Sequence, residues 1–365
     1  MHLTAGHGIA VAAALVAAVA VPVLVVSSLA PERTASGHAP QPTATGPGPP
    51  GNPSTHPAAS AEGAGPNPGA PVGAPPPRGG YFRAREAGQW VTLPSGSTCA
   101  ARVHRSPWEP RPVNTRANRT LVDPAAVHRS FAARPRSGDG GYDPRWDSWL
   151  LPRVDGQFSG TTDEIFQWAA CKWGLSDDLL RAAAVRASTW YQYAVYRNGH
   201  PVINWGAGGV VAAGTPGSGE YCAELAKYGY DYQVDFGLQA CPGTFSIVGV
   251  MAWQAPSWGR LAGNQNGTFP FSRDSTAFAV EYFAAYLRGC YNGWVRWLKG
   301  SGDYEAGDIW GCVGAWYAGS WHTSAAEGYA DWVHSELRAY TWLRPDWYAV
   351  EPPCSAWYGC LKTDH

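Results

Sequence analysis

Apolar positions recur at helical spacing only from about residue 161 onward. In "TTDEIFQWAACKWG", Thr161 stands three residues before Glu164 as a capping-box pair, and Ile165, Trp168, Ala169 and Cys171 continue the helical pattern. Gly174 supplies a C-terminal stop. "SDDLLRAAAVRAS" predicts a second helix, with Ser176 as N-cap and Asp177 and Asp178 at the positive end of its dipole. Residues 194 to 240 are glycine-rich and read as loop, apart from a short helical piece around "YCAELAKYG". "FSIVGVMAWQ" is an apolar run that fits strand or helix. Two helices follow, "DSTAFAVEYFAAYLRGCYNGWVRWL", starting at Asp274 or Ser275, and "DIWGCVGAWYAG"; the amphipathic "SAAEGYADWVHSELRAYTWL" comes last. The pattern predicts a mainly α domain over 156–345, with a tail over 346–365.

Upstream the pattern changes. Residues 81–155 show short apolar pieces and many prolines with little periodicity, which predicts an irregular N-terminal extension packed on the helical domain. Residues 31–80 hold 14 of the chain's 31 prolines among Gly, Ala, Ser and Thr, and read as a disordered linker that cannot bury enough apolar area to offset chain entropy. Residues 1–30 contain an unbroken apolar run of 18 residues, 9–26, which suits a signal peptide or an N-terminal membrane anchor. Ser28-Leu29-Ala30 has the small residues of a cleavage site, while Pro31 would hinder a peptidase, so both readings stay open. Either one implies export, in a form that is secreted or anchored facing the cell wall.

Charge and cysteine content narrow the function. A net charge of −1 argues against general affinity for nucleic acid. Only four of the 27 basic residues are lysines, and thirteen arginines face six acids between Arg78 and Arg153, a stretch that fits a solvated face or an attraction for anionic wall polymers. Nineteen tryptophans and 18 tyrosines serve core packing first and sugar stacking second. Eight cysteines in an exported chain predict disulfides, and without a C-x-x-C or a His pair at ligand spacing no metal or cofactor is expected. Cys290 ends one predicted helix and Cys312 lies in the next, so an antiparallel return pairs them; Cys222 and Cys241 bracket the glycine-rich segment and are expected to pair. Cys99 with Cys171, and Cys354 with Cys360, follow by elimination.

Three segments in this order resemble the lysozyme-like lytic transglycosylases, which cut peptidoglycan glycan strands without water. "KWGLSDDLLRAAAVRASTW" resembles the family's helix ending in Glu-Ser, "GVMAWQ" is similar to its cleft-lining Gly-Leu-Met-Gln segment, and "GAWYAGSW" looks like its Ala-Tyr-Asn-Ala-Gly signature. The resemblance covers roughly 161–340. It implies a lysozyme-like helical fold, peptidoglycan glycan strands as the partner, and one glutamic acid that protonates the glycosidic oxygen and then helps the substrate's own 6-hydroxyl close a 1,6-anhydro ring. Two-carboxylate glycosidases work differently, with a second acid as nucleophile or water activator. Counting from Gly174 puts the family's acid at position 187, directly before Ser188, and the residue there is Ala187. Ala252 stands where the family has glutamine, and Tyr317 where it has asparagine. By the same resemblance Ser188, Met251, Gln254, Trp316 and Tyr317 are candidate groove residues.

A substitute acid would have to come from elsewhere. Glu220 in "GSGEYC" is the first candidate, with Asp231 and Asp235 behind it. Three functions follow: a glycan-binding protein with catalysis lost or strongly reduced, an active enzyme using a relocated acid, and a non-catalytic structural or partner-binding exported domain.

Overall fold

The structure, a computed structural model, describes residues 72–134, 141–197, 200–203, 210–211, 218–227, 241–251 and 266–348. All of them lie in the compact unit Ser60–His365. The protein is mainly helical. Seven helices of more than eight residues are described: α1 (Pro124–Ala133), α2 (Thr162–Trp173), α3 (Asp177–Ser188), α4 (Ser218–Ala226), α5 (Thr276–Tyr291), α6 (Ile309–Ala318) and α7 (Ser324–Ala339).

The core is built on α2, α3 and α5. Every residue of α2 is buried, α3 exposes only Arg186, and α5 leaves only Tyr291 outside the buried set. Helices that are buried all round belong at the centre of a domain, and α2 packs against both α3 and α5. The capping box forms as expected: Thr161 Oγ1 accepts from Glu164 N at 3.3 Å, and Glu164 Oε2 accepts from Thr161 N at 3.1 Å. Gly174 ends α2 at φ 61°, a left-handed conformation that glycine adopts at no steric cost. Ser275 caps α5, accepting from Phe278 N at 3.3 Å. That helix ends at Tyr291, earlier than the apolar pattern suggests, because Gly293 turns the chain at φ 80°.

Charged groups inside this core are paired with one another. Arg181 is fully buried and donates to Asp163 at 2.7 Å, Asp177 at 2.8 Å and Asp178 at 2.7 Å. Burial alone would pull the guanidinium's pKa down, but the three carboxylates outweigh it and hold it above its ordinary value. Lys172 sits 2.5 Å from Glu281 and 2.9 Å from Asp155. Such pairs fix how α2, α3 and α5 register against one another; desolvation cancels much of their attraction.

The remaining long helices cover this centre. α6 packs on α5, and α7 packs on both α6 and α3. At Gly314 a Cβ would lie 2.6 Å from the Ala326 carbonyl oxygen, so α6 and α7 meet with backbone nearly touching. Cys290–Cys312 ties α5 to α6 with Cα atoms 5.8 Å apart, and Cys99–Cys171 ties the N-terminal segment to α2 at 5.6 Å, as the sequence predicts for both. Cys222 is also disulfide-bonded, and α4 contacts the strand holding Cys241, whose side chain lies outside the described residues. Cys354 and Cys360 lie outside them too.

Two regions depart from the sequence pattern. The extension expected to be irregular carries short helices at Gly96–Ala100, Thr115–Arg119 and Leu151–Arg153 besides α1. Of these, Gly96–Ala100 and α1 have side-chain caps: Ser95 accepts from Thr98 N at 3.2 Å, and Asp123 accepts from Ala125 N at 2.9 Å with Pro124 at the first helical position. The glycine-rich segment includes β1 (Tyr193–Arg197) paired antiparallel with β2 (His200–Ile203), and β3 (Val210–Val211) paired with β4 (Cys241–Pro242). The ambiguous "FSIVGVM" run is a small hairpin, β5 (Thr244–Phe245) with β6 (Val250–Met251), joined by the turn 246–249. Among the described residues no helix is long and apolar enough to cross a membrane, and the apolar run 9–26 lies outside them.

Candidate functional site

The C-terminal end of α3 is fixed from two sides. Ser188, 2% exposed, donates its hydroxyl to the Ile247 carbonyl at 2.7 Å and so fastens the β5–β6 turn to the helix. Beyond it, Thr189 and Trp190 both take positive φ, at 52° and 67°. Non-glycine residues rarely adopt that conformation, and here partners hold it. Arg111 Nε donates to the Thr189 carbonyl at 2.9 Å, Asn114 Nδ2 donates to the Trp190 carbonyl at 2.7 Å, and the Trp190 indole donates to the Arg181 carbonyl at 2.9 Å.

From the other side, α6 reaches the same turn. Trp316 Nε1 donates to the Val248 carbonyl at 3.0 Å, while its ring packs edge-on against Phe283 and Tyr286 of α5. Tyr317, next along, is 37% exposed and stacks on Tyr329 of α7 at 4.6 Å between ring centroids. One turn further on α7, Trp332 is 48% exposed and lies under the Arg186 guanidinium at 3.9 Å. Burial pushes the Tyr329 hydroxyl above its ordinary pKa, with Arg186 pulling the other way.

These contacts orient Ala187. Arg186 points to α7 and Ser188 points to the β5–β6 turn; successive helix residues are rotated by about 100°. Position 187 therefore faces between the directions of α7 and the turn. Ala187 itself is 5% exposed. Met251, on the last strand of the hairpin, is 38% exposed. The fold thus brings Ala187, Ser188, Trp316, Tyr317 and the Met251 hairpin to one region. Gln254, Ala252, Asp231 and Asp235 lie outside the described residues. Glu220 sits in the first turn of α4 rather than in a loop, and is exposed. Among the described residues no hydrogen bond or ion pair joins it to the end of α3.

A carboxyl that the sequence pattern does not single out stands behind this region. Glu109 accepts from Thr162 N at 2.7 Å and Asn118 Nδ2 at 2.8 Å on one oxygen, and from Arg111 N at 3.0 Å on the other. Burial pushes it up to about 7 against the pull of these donors. It anchors the start of α2, and through Arg111, Asn114 and Asn118 it belongs to the set that holds residues 189–190. Lying between a tryptophan and a proline in "WEPRP", it carries no periodic or motif signal.

Among the described residues no group of His, Cys, Asp and Glu is arranged to hold a metal ion. What the region offers chemically is an aromatic and thioether surface next to a helix end, with an alanine at the position where resemblance calls for a proton donor. No protein-family model, curated protein or solved structure matches the chain.

Proposed function

We propose that this chain is an exported, peptidoglycan-directed protein of the lysozyme-like lytic transglycosylase type that binds glycan strands with catalysis lost or strongly reduced. The observation that carries this reading is the convergence of the three resembling segments on one turn. The end of α3 bonds the β5–β6 turn through Ser188, and the "GAWYAG" helix bonds the same turn through Trp316. Segments far apart in sequence and meeting only by chance would have no reason to share one turn. The exposed faces of Tyr317, Met251 and Trp332 suit stacking against sugar rings. The disulfides suit the oxidising compartment in which a cell wall is met. Catalysis of the transglycosylase kind rests on a single acid, and a positioned general acid contributes about 10²- to 10⁴-fold in rate, so an alanine at position 187 removes the step that has no substitute.

The test is retention of the full-length chain on purified peptidoglycan, with the released material analysed for 1,6-anhydro-muropeptides. Retention without release is the expected result. Release that Glu220→Gln abolishes would instead assign an active enzyme with a relocated acid. Absence of retention would leave a structural or partner-binding domain.

A further inference from the structure

We propose that the cavity between residues 81–102 and the C-terminal end of α2 is a binding site for the phosphate ester groups of an anionic polyol-phosphate polymer. The cavity has a volume of about 220 Å³, and Arg83, Arg85 and Arg102 line it together with Phe82, Pro94 and Gly174. No aspartate or glutamate is among its lining residues. Arg83 and Arg102 are exposed and have no ion-pair partner among the described residues; Arg102 rests on the Phe82 ring at 5.6 Å. Arg85 spends one guanidinium nitrogen on Thr92 Oγ1 at 3.2 Å.

The floor adds positive charge from below. Arg288 is fully buried and donates only to carbonyls, those of Trp173 at 2.8 Å, Arg85 at 3.1 Å, Glu86 at 3.2 Å and Gly174. A Cβ on Gly174 would stand 3.2 Å from both Arg288 Nη2 and Arg85 Cδ, so these two arginines converge under the cavity. Burial pulls Arg288 down to about 10, which still leaves it a cation at neutral pH. Arg153 donates to the carbonyl of the lining residue Pro94 at 2.9 Å. The acids nearby are otherwise engaged or outward: Asp177 is held by Arg181 and by the Tyr81 and Phe82 amides, Asp155 and Glu281 face Lys172, and Glu86 is exposed outside the lining.

Three arginines thus line a concavity without a carboxylate in its wall, with Arg288 buried beneath Gly174 and Arg153 bonded behind Pro94. Guanidinium forks match the several oxygens of a phosphate ester, and two or three of them can engage one group together. The cavity also has room for part of the esterified polyol, and Phe82 gives that part an apolar side. This site is separate from the α3 end and stands whether or not the glycan reading does.

Titration calorimetry at low salt on the full-length chain tests it, with poly(glycerol phosphate), inorganic phosphate, polyglutamate and a single-stranded oligonucleotide as probes. The double variant Arg83→Gln/Arg102→Gln removes two exposed guanidiniums that make no hydrogen bond among the described residues, so it should keep its structure and its Cys99–Cys171 bond. Poly(glycerol phosphate) is expected to bind at least about tenfold more tightly than inorganic phosphate or polyglutamate, and the double variant to lose about tenfold or more. Retention on phosphate-free peptidoglycan should not change in that variant, which keeps failure of the two proposals apart. An unaffected double variant overturns the site. Equal binding of polyglutamate overturns the phosphate assignment, equal binding of the oligonucleotide overturns the polyol assignment, and binding of inorganic phosphate alone overturns the polymer.

Discussion

Ala187→Glu supplies the group whose absence defines the proposed function. The substitution adds four heavy atoms at a position 5% exposed near the end of α3, so some repacking must follow. Overpacking of this kind typically costs about 1–3 kcal/mol, which for a domain of this size is a fall in Tm of roughly 2 to 12 °C. The protein should still fold, since glutamate is a good helix former and Met251 and Tyr317 are more than a third exposed and can move aside. Apolar walls would raise the new carboxyl's pKa toward a useful acid, while the neighbouring Arg186 would lower it; the guanidinium is stacked away on Trp332, which favours the first effect. A working acid should raise release of 1,6-anhydro product by about 10²- to 10⁴-fold, or roughly 3–5 kcal/mol of barrier. The assay compares product from purified wall material for the unmodified chain, Ala187→Glu and Ala187→Gln, each checked for folding and glycan retention. If Ala187→Glu folds, binds glycan and releases no more than Ala187→Gln, the orientation argued for position 187 is wrong.

Four further outcomes are expected. Ser188→Ala deletes the buried bond to Ile247 and should cost about 1–2 kcal/mol in urea unfolding while loosening the β5–β6 turn to proteolysis; an unchanged midpoint would refute the tie. Gly314→Ala forces a methyl against the Ala326 carbonyl 2.6 Å away and should cost about 1–3 kcal/mol, read as a lower Tm, whereas Gly328→Ala, with nothing within 4 Å, should not destabilise. Replacing Cys290 and Cys312 by alanine opens a loop spanning 22 residues, and replacing Cys99 and Cys171 opens one of 72; the loop-entropy account gives losses of about 3 and about 4 kcal/mol, so the first variant should melt higher. Glu109, held near 7 when folded, binds a proton that the unfolded chain has released, so its contribution is complete below about pH 4.5 and fades as pH rises through 7. Relative to Glu109→Gln, the unmodified chain should lose up to about 3 kcal/mol across that window, and parallel pH profiles would remove the raised pKa.

Local rules made the helical half of this chain legible. Thr161 and Glu164 announced a capping box that forms, and Gly174 marked a stop that the chain uses. Two disulfides followed from the placement of helix ends and from elimination. The extension was opaque because its helices are short, only two of them carry a side-chain cap, and short apolar pieces leave no period to read. For the candidate site, the sequence pointed to the helix end and to Trp316 and Tyr317, but not to how they meet. Trp316 and Ser188 reach backbone carbonyls of the same turn, and carbonyls leave no mark in a sequence. Glu109 and Trp332 escaped for a related reason. One acts as a distant cap for α2, and the other is the exposed residue on the amphipathic α7 that happens to lie beneath Arg186.

Arg111 binds the beginning of the fold to its end. Its guanidinium donates to the Thr189 carbonyl at 2.9 Å, to that of Trp347 at 2.8 Å and to that of Tyr348 at 3.0 Å, and it lies 4.0 Å over the Trp347 ring. Trp347 follows Arg111 by 236 residues. At a synthesis rate of about 5–20 residues per second, the arginine waits roughly 10–50 s before that acceptor exists. Until then Arg111 lacks its two C-terminal acceptors, and Trp108 and, once it is made, Trp190 lack the Tyr348 and Trp347 rings that pack on them in the finished fold. From residue 190 to residue 347 the growing chain therefore holds these aromatic rings without their final cover. The last helical turn, Pro345–Tyr348, is the latch that ends this state.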